Sequence, residues 1–222
     1  MDKRKRLYII AGHYGSGKTN IAVNLALKLK SEGLNTKIVD LDIVNPYFRT
    51  KDSAKVLEEA GIELISPAFA NTNVDLPALP KEVYGVVQAR DCYGVIDVGG
   101  DDRGAYALGR YAPEILEENN FEMCFVANFY RPLTKTAQEA LEVMREIEEA
   151  CKIKFTAIIN NSNLGCETTE ETVISTLEKA KELCELSGLP LLFNAVEKGI
   201  KNVPDSFNLE LQEKYYDIKE SK

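Results

Sequence analysis

Eight residues constrain this chain more than any others: Gly12-His13-Tyr14-Gly15-Ser16-Gly17-Lys18-Thr19. They match the spacing G-x-x-x-x-G-K-[ST] at every fixed position. The apolar run Leu7–Ala11 just before them reads as a buried strand, and Thr19–Lys30 just after them reads as a helix. Strand, glycine-rich loop and helix start, in that order, make an anion site. Loop N–H groups converge on one point, and the helix N-terminus adds partial positive charge there. In this pattern Lys18 reaches the outer phosphates of a nucleotide and the Thr19 hydroxyl ligates Mg²⁺. The expected phosphate contacts are Gly12, His13, Tyr14, Gly15, Ser16, Gly17, Lys18 and Thr19, with Asn20 in the first helical turn.

The rest of the chain alternates strand and helix patterns. Strands are expected at Leu7–Ala11, Thr36–Leu41, Ile62–Ser66, Gly94–Val98, Met123–Asn128, Phe155–Asn160 and Leu191–Val196. They are short and apolar on both faces, as buried parallel strands are. Ile21, Leu25 and Leu29 line one face of the first helix. Leu141, Met144, Ile147 and Glu148 follow helical spacing within Thr134–Ala150. Thr168 and Glu171 form a capping box for a helix running to about Ser187, which Gly188-Leu189-Pro190 stops. Such alternation implies a doubly wound α/β sheet of about seven mostly parallel strands with helices on both faces. Asn71–Pro80 reads as a surface connection, so residues 1–222 are expected to form one domain. The Phe207–Lys222 segment, with Leu209, Leu211, Tyr215 and Ile218, reads as a helix docked on that domain.

Charge and cysteine usage narrow the function classes. A net charge of −8 argues against a broad nucleic-acid surface. The basic run Lys3-Arg4-Lys5-Arg6 reads as a solvated strand entrance. No stretch approaches the ~20 apolar residues of a membrane span, and no signal-peptide pattern opens the sequence. Cys92, Cys124, Cys151, Cys166 and Cys184 are odd in number and lack C-x-x-C spacing, which indicates neither disulfides nor zinc and fits the cytoplasm. Cys166, in a glycine-containing loop, is the one cysteine placed to share a metal across a symmetric dimer.

In a doubly wound sheet, ligands sit at the carboxyl ends of the strands. The second expected strand ends in Asp40-Leu41-Asp42 and the fourth in Asp97-Val98-Gly99-Gly100-Asp101-Asp102. Carboxylates at such ends hold Mg²⁺, partly through water, and position an attacking water. Thr19, Asp40 and Asp97 are the candidate metal ligands, and Lys18, Asp42 and Asp97 the candidate catalytic residues. Asp101 and Asp102 read as solvated loop residues.

The phosphate loop, Val39-Asp40-Leu41-Asp42 and Val95-Ile96-Asp97-Val98-Gly99-Gly100 together resemble the MinD/ParA/CobQ/CobB nucleotide-binding family, in order and spacing and over nearly the whole chain. The resemblance implies a three-layer P-loop NTPase fold of the SIMIBI class, related to nitrogenase iron protein and signal recognition GTPases, with ATP and Mg²⁺ as cofactors. It places Asp40 near the Mg²⁺ shell, Asp42 as the switch I aspartate implicated in hydrolysis, Asp97 at the opening of switch II, and Asp42–Arg49 as switch I. Gly99 and Gly100 supply the freedom of a γ-phosphate sensor. Many members carry a second lysine directly after the first loop glycine, completing a nucleotide-sandwich homodimer. This chain has its only histidine, His13, there. His13 as a pH-dependent cation, or Arg49 and Arg103 in the switch regions, are the candidate replacements.

Asn160, ending the strand Phe155–Asn160, resembles the adenine-reading asparagine of the family. Guanine readers use Asn-Lys-x-Asp, whereas this chain reads Asn160-Asn161-Ser162-Asn163. An amide suits adenine's donor and acceptor pair. The expected function is a Mg²⁺-dependent ATPase switch acting on a protein partner. The alternatives are an ATP-dependent small-molecule transferase or ligase, with Arg49 and Tyr47 near its substrate, and a metallocentre-maturation ATPase. Asn128-Phe129-Tyr130-Arg131-Pro132 leaves the fifth strand on the ligand side, as a packed loop or a stacking surface.

Overall fold

Parallel strands whose side chains are apolar on both faces need helices above and below them, and that is how this chain is arranged. The computed structural model describes residues 4–42, 53–66 and 81–210. The switch I segment beyond Asp42, including Tyr47 and Arg49, lies outside the described residues, as do Asn71–Pro80 and Leu211, Tyr215 and Ile218. The strands are β1 (Leu7–Ala11), β2 (Thr36–Leu41), β3 (Glu63–Ile65), β4 (Tyr93–Val98), β5 (Phe121–Ala127), β6 (Ala157–Asn160), β7 (Leu191–Glu197) and β8 (Ser206–Leu209). The helices are α1 (Lys18–Ser31), α2 (Ala54–Glu59), α3 (Lys81–Gln88), α4 (Asp102–Gly109), α5 (Ala112–Glu118), α6 (Ala137–Cys151), α7 (Glu170–Ile174) and α8 (Leu177–Ser187).

The strands form one sheet in the order β3-β2-β4-β1-β5-β6-β7-β8, and each neighbouring pair runs parallel. Period-two alternation sorts β1 between the two faces. Leu7, Ile9 and Ala11 pack into the layer built by α3, α4, α5, α6 and α8. Ile10 packs into the opposite layer, with Ile21, Ala22, Leu25 and Leu29 of α1 and Leu57 of α2. Two layers of helices thus enclose the sheet, as the strand–helix alternation implies.

Three expectations need correction. The sheet has an eighth strand within the stretch read as a docking helix: β8 pairs with β7 from Asn194↔Ser206 to Glu197↔Leu209. Phe207 stacks on Phe193 at a centroid distance of 4.7 Å, and Leu209 is buried in the α1 layer. Edge pairing and one-sided burial there override a weak helical pattern. Secondly, the helix expected from Thr168 to Ser187 is two helices. The capping box is formed by Thr169 and Thr172 rather than Thr168 and Glu171, and the chain breaks before α8. At the break the Thr176 hydroxyl donates to the Val173 carbonyl at 2.7 Å and accepts from Asn160 Nδ2 at 3.1 Å, which draws it into the end of the sheet. Similarly, α6 starts later than Thr134, with Thr136 and Glu139 capping each other.

Thirdly, the basic run is not wholly solvated. Arg6 is buried, donating to the carbonyls of Val86 at 2.9 Å, Val87 at 2.6 Å and Cys92 at 3.3 Å while it pairs with the buried Glu118. It thereby satisfies the orphan carbonyls at the end of α3 and links them to α5. Replacing Arg6 with alanine takes two hydrogen bonds from the buried Glu118 and strips the Val86 and Cys92 carbonyls of their Arg6 donor, leaving the exposed Arg90 as the cation beside Glu118 and Val87. Chemical denaturation should show a loss of about 2–3 kcal/mol, whereas Arg4→Ala, which removes the half-exposed pair with Glu32, should cost under ~1 kcal/mol.

Candidate functional site

Everything in the candidate site hangs from the loop between β1 and α1. Gly12 leaves β1 pressed against β5; a Cβ there would stand 2.6 Å from the Val126 carbonyl oxygen. Gly17 takes φ 87° as α1 begins, a left-handed conformation that favours glycine. Behind it, Asn161 Nδ2 donates to the Ser16 carbonyl at 2.7 Å, and the Asn161 side chain fills the space a Cβ on Gly17 would need. The Ser16 hydroxyl is buried with no hydrogen-bond partner among the described residues.

Lys18 is the centre of the arrangement. It is only 7% exposed, and Nζ donates to the His13 carbonyl at 3.2 Å. Burial pulls its pKa below the ordinary 10.5, opposed by the attraction of Asp97, Asp42 and Asp101. Next to it, the Thr19 hydroxyl donates to Asp97 Oδ2 at 2.7 Å. The β2–β4 register sets Asp40 beside Asp97, and Asp40 Oδ1 accepts from the Asp42 N–H at 2.9 Å. Asp40, Asp42 and Asp97 are all buried. Gly100 closes the site from the β4 side: a Cβ on it would lie 2.8 Å from Lys18 Nζ and 2.8 Å from Tyr14 Cα. Lys18, Thr19, Asp42, Asp97 and Gly100 are therefore brought together, at the carboxyl ends of β1, β2 and β4.

Other candidates stand differently. His13 is half-buried with Nδ1 3.1 Å from the Tyr14 carbonyl, while Tyr14 is 58% exposed. Asn20 is half-buried, and its carbonyl accepts from Asn24 Nδ2 at 2.8 Å. Arg103 is exposed on α4. Asp101, expected as a solvated loop residue, is the N-cap of α4 and accepts from the Gly104 N–H at 3.0 Å.

Asn160 does not sit as a base reader. It is fully buried. Its Nδ2 donates to Thr176 Oγ1 at 3.1 Å and to Asn194 Oδ1 at 2.9 Å, while its Oδ1 accepts from the Ser162 N–H at 3.2 Å and hydroxyl at 2.7 Å. Its amide is saturated, and a base could reach it only by breaking these bonds. The neighbour Asn161, which the sequence did not single out, is the one that faces the loop. The segment after β5 is a packed loop rather than a stacking surface: Phe129 is buried and the Tyr130 hydroxyl donates to the Thr172 carbonyl at 2.9 Å.

Among the described residues, no group of three or more His, Cys, Asp or Glu side chains could hold a metal by itself. A hydroxyl with one or two carboxylates suits Mg²⁺, which keeps several waters and takes its remaining oxygens from phosphates. Thr19 and Asp97, already in contact, fit that role. Cys166 is exposed. No described helix is long and apolar enough to cross a membrane.

Fold and loop together define an α/β P-loop NTPase fold. Solved structures of that fold are similar to this chain. They include the cell division protein FtsY of Thermotoga maritima (18% identity, TM-score 0.61, covering 88% of this chain and 63% of that one) and chloroplast FtsY of Physcomitrella patens (19%, 0.55, 92% and 61%). The signal recognition particle 54 kDa protein of Aeropyrum pernix, in complex with GDP, is a third (15%, 0.53, 87% and 42%). This chain thus spans less than two thirds of the length of these structures. No family model matches the chain, and no curated protein matches it in sequence.

Two outcomes follow from the geometry. Gly100→Ala should force the Lys18 ammonium and the Tyr14 backbone to shift, and isothermal titration of the folded variant should record about a tenfold or greater loss of nucleotide affinity. Lys18 titrates below 10.5 in the free protein, and an added phosphate favours its protonated form. Affinity should therefore fall as pH rises into the alkaline range, with net proton uptake on binding, detectable by titration in buffers of different ionisation enthalpy.

Proposed function

We propose that this protein is a Mg²⁺-dependent nucleotide switch that binds and slowly hydrolyses ATP. The observation that carries the reading is the buried Lys18 ammonium held at the junction of the glycine loop, the Thr19–Asp97 hydrogen bond and Gly100. In this reading the loop N–H groups and Lys18 stabilise the charge on the transferred phosphoryl group. Thr19 and Asp97 hold Mg²⁺, which shields the phosphate oxygens when bound, with Asp40 in reach through water. Asp42, beside Gly99, orients the attacking water. Gly100 senses the outer phosphate through its contact with Lys18 and passes a change to α4, whose N-cap Asp101 follows directly. The partner is a second copy of this chain or another protein meeting that face.

Preference for adenine rests on Asn163. It stands where a guanine reader needs a carboxylate to accept from the base N1–H and amine, and its Oδ1 instead accepts from the Gly165 N–H at 3.2 Å. Guanine is the second reading, favoured by two observations: the Asn160 amide is committed elsewhere, and two structures similar in fold, FtsY of Elizabethkingia anophelis and the signal recognition particle protein of Aeropyrum pernix, are complexes with GDP.

Titration of nucleotide-free protein with ATP, ADP, GTP and GDP in Mg²⁺ separates these readings, with sedimentation of each complex reporting dimerisation. ATP should bind with micromolar or tighter affinity and be hydrolysed. Lys18→Ala should weaken binding by at least about thirtyfold. Intact binding and turnover in Lys18→Ala would overturn the assignment, and selective binding of GTP would move it to a guanine-nucleotide switch.

A further inference from the structure

The loop after β5 carries a cation that the chemistry above does not use. Its backbone is a closed turn. Asn128 Oδ1 accepts from the N–H groups of Tyr130 at 3.1 Å and Asn163 at 3.4 Å. The Asn128 carbonyl accepts from the Arg131 N–H at 3.0 Å and the Thr134 hydroxyl at 2.7 Å. The Phe129 N–H donates to Ser162 Oγ at 3.0 Å, and the Tyr130 hydroxyl is anchored on α7. The turn therefore holds Arg131 at one place, and that place is the phosphate loop. A Cβ built on Gly15 would meet Arg131 Nε at 3.7 Å, Cδ at 3.8 Å and Cζ at 4.0 Å.

The guanidinium is exposed and forms no ion pair among the described residues, in a chain with 35 acidic residues against 27 basic ones. A planar, permanently charged fork matches phosphate oxygens better than any other side chain. Its flank of the loop is informative. The order β4-β1-β5 puts switch II on one side of the loop and Arg131 on the other. Lys18, Gly100 and the Thr19–Asp97 pair lie on the β4 side, where the outer phosphate and Mg²⁺ belong.

We infer that Arg131 is a further phosphate-binding residue, contacting the α-phosphate of a bound nucleoside diphosphate or triphosphate across Gly15 and supplying the second cation of the site. This inference rests on the nucleotide reading above. The α-phosphate is common to the diphosphate and the triphosphate and gains no charge when the β–γ bond breaks, so Arg131 acts on ground-state affinity and not on the rate at saturation.

The test compares wild type, Arg131→Ala, Arg131→Lys and Lys18→Ala by isothermal titration with the Mg²⁺ di- and triphosphates of adenosine and guanosine, together with steady-state hydrolysis. Arg131→Ala should weaken diphosphate and triphosphate by the same factor, about tenfold, raise KM and leave kcat within twofold. Arg131→Lys should recover part of the loss, and the melting temperature should not move, because the side chain is exposed. Unchanged affinity for both nucleotides, or a fall confined to kcat or to the triphosphate, would overturn the role given to Arg131 while the Lys18→Ala response still upheld the nucleotide site. Failure of the wild type to bind any of the four would overturn both.

Discussion

A protonated amine taken out of water persists only where carbonyls and opposite charges surround it. Lys18 is such a group, and much of the molecule is arranged to tolerate it. The His13 carbonyl turns back to accept a hydrogen bond from Nζ. Asp42 comes from the end of β2, Asp97 from the end of β4 and Asp101 from the cap of α4, and all three attract the ammonium against the pull of desolvation. Site and fold therefore share their interactions: the register that sets Asp40 beside Asp97 is part of what makes a buried Lys18 affordable.

Sheet topology delivers these groups to one place. The chain lays down β1, moves two positions along for β2, and later inserts β4 into the slot between them. β1 therefore has β4 on one side and β5 on the other, and the loops leaving these strands approach the glycine loop from opposite flanks. Close backbone approach follows on both. Gly100 comes from the β4 side against Lys18 and Tyr14, while Gly12 abuts the Val126 carbonyl of β5. The acidic ends of β2 and β4 meet the basic residue of the loop because parallel strands bring all their carboxyl ends to one edge.

The octapeptide was legible in the sequence because its glycines, lysine and threonine fall at the fixed spacing of a known pattern, and the central strands were legible because burial on both faces leaves nearly continuous apolar runs. Short edge elements were not: β8 is four residues long and its Phe207 and Leu209 suit a helix start as well as a strand. The exchange of roles between Asn160 and Asn161 has a simple cause. Adjacent residues on a strand point to opposite faces, so two consecutive asparagines carry the same chemistry, and only the tertiary register shows which one meets the loop. Arg6 escaped notice for a related reason. Nothing local distinguishes the last residue of a basic run from its neighbours, and its burial depends on carbonyls of α3 about eighty residues away. Arg131 likewise acquires its position from a turn closed by Asn128 and Thr134, which composition does not reveal.

The amide network around Asn160 has a mechanical consequence. Asn160, Ser162, Thr176 and Asn194 interlock at the end of β6, in the middle of β7 and at the start of α8, and the Asn194 amide reaches on to the Pro204 carbonyl at 2.9 Å. A saturated buried network has one good arrangement, because sliding by an ångström strands several amides at once. On the β4 flank the tie is of another kind: the Thr19 hydroxyl donates to Asp97, and Gly100 lies close against Lys18 and Tyr14. The two flanks of the loop are thus held by different chemistry. One edge of the site is braced by neutral amides that tie β6, β7 and α8 into a unit, and the other by charge, through Asp97 and Lys18.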